Sequence, residues 1–136
     1  MGVTLKTPHC EHSLGYFSFF RFRCYIASLL GVEREYRATW AAMPFEDEYT
    51  DAEKQKAEQI LGFKDKYVVD FLIQSDTEGH ISKVGCERLK KLLLKDQHRN
   101  EACGTLGYKA IDPFCVDDFI TMLRDGIRTG KGLEWY

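Results

Sequence analysis

Apolar residues along this chain recur mainly at spacings of three and four, which place them on one face of a helix. In the first such stretch Phe19, Phe22, Ile26, Leu29 and Leu30 share a face. Ser18 stands where an N-cap belongs and Gly31 suits a left-handed C′ position, so a helix is expected over 19–30. The alternation Phe20, Phe22, Cys24, Ile26 would also fit a strand, but length and the glycine stop favour the helix. Thr50 followed by Glu53 has the form of a capping box and opens a helix that closes near Gly62. A third stretch, roughly Lys64 to Gln74, offers Tyr67, Val68, Phe71 and Leu72 to a core. Ser82 caps a fourth, Lys83 to about Lys95, with Cys86, Leu89, Leu92 and Leu93 facing inward. Asp112-Pro113 then starts a last helix through Val116, Phe119, Ile120, Leu123 and Ile127, which stops at Gly130.

Between these helices, residues 32–49 carry Trp40, Met43, Pro44 and Phe45 without clean periodicity and read as an ordered loop. Residues 96–111 are polar and read as a second loop, residues 1–15 as a flexible N-terminus. The tail Leu133, Trp135, Tyr136 is apolar enough to dock back on the core. The pattern thus predicts an all-α protein, one compact domain over 1–136 with about five helices.

At its centre stands an EF-hand-like helix–turn–helix. Setting Gly79 at loop position 6 places Asp76 at 3, Glu78 at 5 and Ile81 at 8. Gln74 then falls at position 1 and Gly85 at 12, where calcium wants a carboxylate, so no competent calcium loop is present. As plain helix punctuation, Gly79 would take positive φ, Asp76 would cap the turn backbone and Ile81 would lock the helices together. Read as a metal site, the turn offers Asp76, Glu78 and His80.

Composition bounds the function more than it names it. The net charge of −2 argues against a general nucleic-acid binder, and the charge is uneven. Residues 46–80 carry 10 acidic and 4 basic side chains, whereas residues 1–45 carry 3 and 5. No run is long and apolar enough to span a membrane and no secretory h-region opens the chain, so the expectation is a cytoplasmic protein. Its five cysteines are then reduced thiols.

Within the aromatic segment Tyr16 to Tyr25, Tyr16, Arg21 and Arg23 are the expected ligand-binding residues. A planar guanidinium flanked by rings suits a phosphate or carboxylate. On a helix Arg21 and Arg23 project about 200° apart, so one can meet the acidic 46–80 region while the other faces solvent. His9, Cys10 and His12 place soft-metal ligands close together, but zinc wants a second pair, and His80, Cys86, His98 and Cys103 are scattered. No phosphate-cradling glycine loop exists, and no cofactor or catalytic residue is expected. The partner is a protein or a small anionic ligand. The reading is therefore a non-enzymatic binding module. Its alternatives are a metal-binding protein built on Asp76 and Glu78, and a small hydrolase using Cys86 or a His–carboxylate pair.

Three motifs carry a resemblance. Tyr16 with Phe19-Phe20-Arg21-Phe22-Arg23 is similar to a segment SYxGFxRFR. Ser75 to Ser82, on to Cys86, is similar to HSDCDGELSPEEC, and Gly132-Leu133-Glu134-Trp135 to a glycine-containing LEF tail. Together they resemble a family of small bacterial and phage proteins to which no function is attached. The order and spacing agree outside residues 37–60 and 96–111. The resemblance implies a shared fold and a bacterial or phage source. A phage-encoded form would be an inhibitor or sponge of a host nucleotide signal. Thr77, Glu78 and Gly85 depart from that pattern by replacing Cys, Asp and an acidic residue, which takes metal ligands away from the turn.

Overall fold

The computed structural model describes residues 2–39, 50–97 and 116–136. The expected loop anchors Trp40, Met43 and Phe45 and the Asp112-Pro113 cap lie outside them. In chain order the elements are β1 (Gly2–Thr7), β2 (Cys10–Gly15), α1 (Tyr16–Leu29), α2 (Glu33–Thr39), α3 (Asp51–Gly62) and α4 (Lys66–Ile73). They continue with β3 (Gly79–Ile81), α5 (Lys83–Leu94), α6 (Val116–Thr129) and β4 (Leu133–Trp135).

The fold is α+β, and the all-α expectation is wrong. Beside the six helices of the described residues runs a four-stranded antiparallel sheet of order β2-β1-β4-β3. The N-terminal residues expected to be flexible make its hairpin, with Val3 opposite Leu14, Leu5 opposite His12 and Thr7 opposite Cys10. Val3, Leu5 and Thr7 alternate with Thr4 and Lys6, the period-2 pattern of a half-buried strand. The expected docking of the tail takes the form of a strand: β4 pairs with β1 on one side and β3 on the other, burying Leu133 and Trp135.

The helices follow their caps. Thr50 Oγ1 accepts the Glu53 amide at 3.2 Å, and Ser82 Oγ accepts the Gly85 amide at 3.3 Å. The first helix, however, starts at Tyr16 with Gly15 as an N-cap that makes no side-chain bond, not at Ser18. Gly31 and Gly130 take positive φ at helix ends, as their positions require. Part of the expected 32–49 loop is helical, as α2.

Helices and sheet share a core of rings. Phe22 and Phe119 meet edge to face at 4.7 Å, Phe71 and Trp135 at 5.4 Å, and Phe19 and Trp135 at 5.9 Å. The sheet's inner face, Val3, Leu5, Leu14, Ile81, Leu133 and Trp135, joins this core, and its outer face is polar.

Candidate functional site

Helix geometry separates the three residues expected to bind ligand. Arg21 lies over the Phe17 ring at 4.6 Å near the surface, and Tyr16 is half-buried at the first turn of α1. Arg23 is 1% exposed. Its guanidinium sits 4.2 Å from the Phe19 ring centre and 5.5 Å from that of Trp135, and it donates to the Ser75 carbonyl at 3.3 Å. Burial pushes its pKa down, while nearby Tyr36 and Asp76 favour the charged form. Arg23 therefore belongs to the core and cannot share a ligand with Arg21.

The central turn is helix, loop, short strand, helix, but its side chains do different work from that expected. Gly79 has no positive φ. It is glycine because an added Cβ would lie 2.0 Å from Trp135 Cζ2. The Thr77 amide is capped by Ser75 Oγ at 3.1 Å, where Asp76 was expected to do this. Trp135 Nε1 joins Arg23 in donating to the Ser75 carbonyl, at 2.8 Å. Gln74 clasps His80 on both sides, accepting its amide at 2.8 Å and donating to its carbonyl at 2.7 Å. Asp76, Glu78 and His80 do not converge, and among the described residues no group of three metal-capable side chains forms.

The N-terminal cluster is also divided. His9, in the two-residue turn between β1 and β2, gives its amide to Asp125 Oδ2 at 2.8 Å and its Nδ1 to Asp125 Oδ1 at 2.9 Å. Arg128 adds a bond to Oδ1 at 2.7 Å. Burial works against ionisation of Asp125, but the His9 amide and ring and Arg128 outweigh it and hold the carboxyl well below its ordinary range. The result fastens the hairpin turn to α6. Beside it a cavity of about 410 Å³ lies between Cys10 and His12 of β2 and Asp118 and Met122 of α6. Cys86 is fully buried and its thiol is pushed up to about 12 by burial, so it cannot serve as the nucleophile of a hydrolase.

Strand pairing creates a basic corner that no sequence motif announces. On the sheet's outer face Lys6 pairs with Glu134, and Glu134 with His80. The loop from α6 to β4 brings Lys131 beside them, its carbonyl 3.1 Å from His80 Nε2. Gly132 permits this approach: it takes φ +73°, and a Cβ there would meet the Ile81 carbonyl at 2.0 Å. Lys6, His80 and Lys131 line a cavity of about 300 Å³ with Thr7, Pro8, Gly132 and one acidic residue, Glu134.

Comparison with protein-family models, curated proteins and solved structures finds no match to this chain. The site therefore stands on its geometry. Of its residues, sequence reasoning singled out His80 and missed Lys6 and Lys131. The signal available was the alternation of Val3, Leu5 and Thr7, which turns Lys6 to an outer face. No helix among the described residues is long and apolar enough to cross a membrane.

Proposed function

We propose that this protein is a small, non-enzymatic binding module for an anionic ligand, with the ligand held at the corner of Lys6, His80 and Lys131. The supporting observation is the cavity itself, whose lining includes two lysines and a histidine and one acidic residue, Glu134. Lysine ammonium groups are compact point charges suited to phosphate or carboxylate oxygens. The Lys131 carbonyl fixes one ring nitrogen of His80 at 3.1 Å and leaves the other for a ligand. The reading retains the anionic ligand expected from the sequence and moves the site away from Tyr16, Arg21 and Arg23, because Arg23 is enclosed by rings.

Calorimetry with inorganic phosphate, citrate and adenosine diphosphate tests it. At least one should bind, with affinity that falls as salt is raised. Binding should weaken at least about tenfold, or about 1.4 kcal/mol, in Lys6→Ala/Lys131→Ala, and remain unchanged in Arg21→Ala. No binding by any of the three, or loss in Arg21→Ala alone, would overturn the assignment.

A further inference from the structure

The lining of the Lys6, His80 and Lys131 cavity holds hydrogen-bond acceptors as well as donors. His80 Nε2 lies 3.1 Å from the Lys131 carbonyl. A carbonyl has no hydrogen to give, so Nε2 carries the proton and Nδ1 of the neutral ring keeps its lone pair. Glu134 stands opposite His80 in register, and its carboxylate also only accepts. Lys6, opposite Glu134 on the other side, and Lys131 bring ammonium donors. Lys6, Glu134 and His80 thus form a row across the outer face, with neighbours about 5 Å apart at Cβ. Among the described residues the side chains of Lys6, Lys131 and Glu134 enter no ion pair or hydrogen bond, and His80 Nδ1 accepts none. All four side chains are exposed, so their polar ends are open to a ligand.

Given the anion site proposed above, on which this rests, we infer that the ligand is a small hydroxylated organic anion. Its charged group is held by Lys6 and Lys131, and its hydroxyl donates to the side formed by His80 and Glu134. A plain anion answers the two ammonium groups but sets negative charge against the Glu134 carboxylate and the Nδ1 lone pair. A hydroxyl on the same molecule turns both of these into partners, because it gives them a hydrogen. Such a site discriminates against the analogue that lacks the hydroxyl, whose binding leaves the acceptors unmet. A cavity of about 300 Å³ is the size of a small-ligand pocket.

Calorimetry on the full chain at about pH 8, where an imidazole is neutral, tests this with two pairs of ligands that differ only in hydroxyl groups. The pairs are malate against succinate and glycerol 3-phosphate against propyl phosphate. In at least one pair the hydroxylated member should bind at least about fivefold more tightly. The pair that shows the preference separates a hydroxy acid from a polyol phosphate. Glu134→Leu should shrink the preference at least about twofold while the plain member gains affinity, because the carboxylate that repelled it is gone. A chain that failed to fold could not gain affinity in this way. His80→Leu should shrink the preference too, with unchanged circular dichroism. Equal affinities within both pairs, or a preference that survives intact in both variants, would overturn this ligand class and leave the anion site standing. No binding by any of the four would remove the anion site and the hydroxyl preference together.

Discussion

Gly79→Ala separates a steric reason for this glycine from a conformational one. Its φ is not positive, so alanine meets no backbone penalty. The obstacle is Trp135: the new Cβ would lie 2.0 Å from Cζ2, 2.3 Å from Cε2 and 2.7 Å from Cη2. To reach an ordinary carbon contact of about 3.5 Å the ring must recede by about 1.5 Å. It is poorly placed to do so, being 1% exposed, packed against Phe19 and Phe71, and tied through Nε1 to the Ser75 carbonyl at 2.8 Å. Overpacking costs about 1–3 kcal/mol, and losing the indole bond adds about 1 kcal/mol or more. A total near 3 kcal/mol follows.

An unfolding entropy of about 2.1 cal/mol/K per residue over 136 residues is about 0.29 kcal/mol/K. The melting temperature should therefore fall by about 10 °C, read by calorimetry and checked by urea unfolding. Two further variants decide the cause. In a Trp135→Phe background, which lacks the atoms of the clash, adding Gly79→Ala should cost under about 1 kcal/mol, a coupling of about 2 kcal/mol between the sites. Gly79→Asn should be at least as harmful as alanine, although asparagine is the better residue where positive φ is needed. Equal alanine costs in both backgrounds, or an asparagine variant more stable than the alanine one, would refute the steric account.

Other consequences are as direct. Asp125→Asn should destabilise the protein by about 2–3 kcal/mol at neutral pH, because the His9 and Arg128 bonds lose their charged acceptor. Since the folded pKa of Asp125 is depressed below 3.8, its contribution is present above that value and lost as pH falls through the folded one. Urea melts should thus show wild type and variant converging below about pH 4. Gln74→Ala frees both backbone groups of His80 at the sheet edge and should cost about 1–2 kcal/mol by chemical denaturation. In the native protein, iodoacetamide should label half-buried Cys10 and spare Cys24 and Cys86, whose thiols burial pushes up to about 12; mass mapping of the adducts checks this.

What the sequence makes legible here is what is local. Thr50, Ser82 and Gly31 each announce a helix end through chemistry within a few residues, and each does that task. The sheet is not local. β3 and β4 are three residues each, too short for a period, and their stability comes from partners more than fifty residues away. β2 reads Cys-Glu-His-Ser-Leu-Gly, in which Leu14 alone is a strong apolar signal. The candidate corner shares this fate, because Lys6, His80 and Lys131 meet only once those strands pair. Helix geometry did place Arg21 and Arg23 on different faces. Which of them goes inward depends on Phe71 and Trp135, which close a box of rings that α1 alone does not contain.

That box also changes what the acidic turn is for. A guanidinium 1% exposed needs compensation that aromatic faces supply only in part. The Ser75 carbonyl provides an acceptor at 3.3 Å, and Asp76, the next residue, provides negative potential that favours the charged form. The residue that an EF-hand frame assigns to calcium at loop position 3 thus acts on a cation supplied from within the fold. The same carbonyl accepts from Trp135, so charge compensation and the anchoring of β4 meet at a single oxygen. The turn can keep an acidic residue and a glycine at EF-hand spacing for reasons that involve no metal: one answers the buried arginine, the other makes room for the tryptophan beside it.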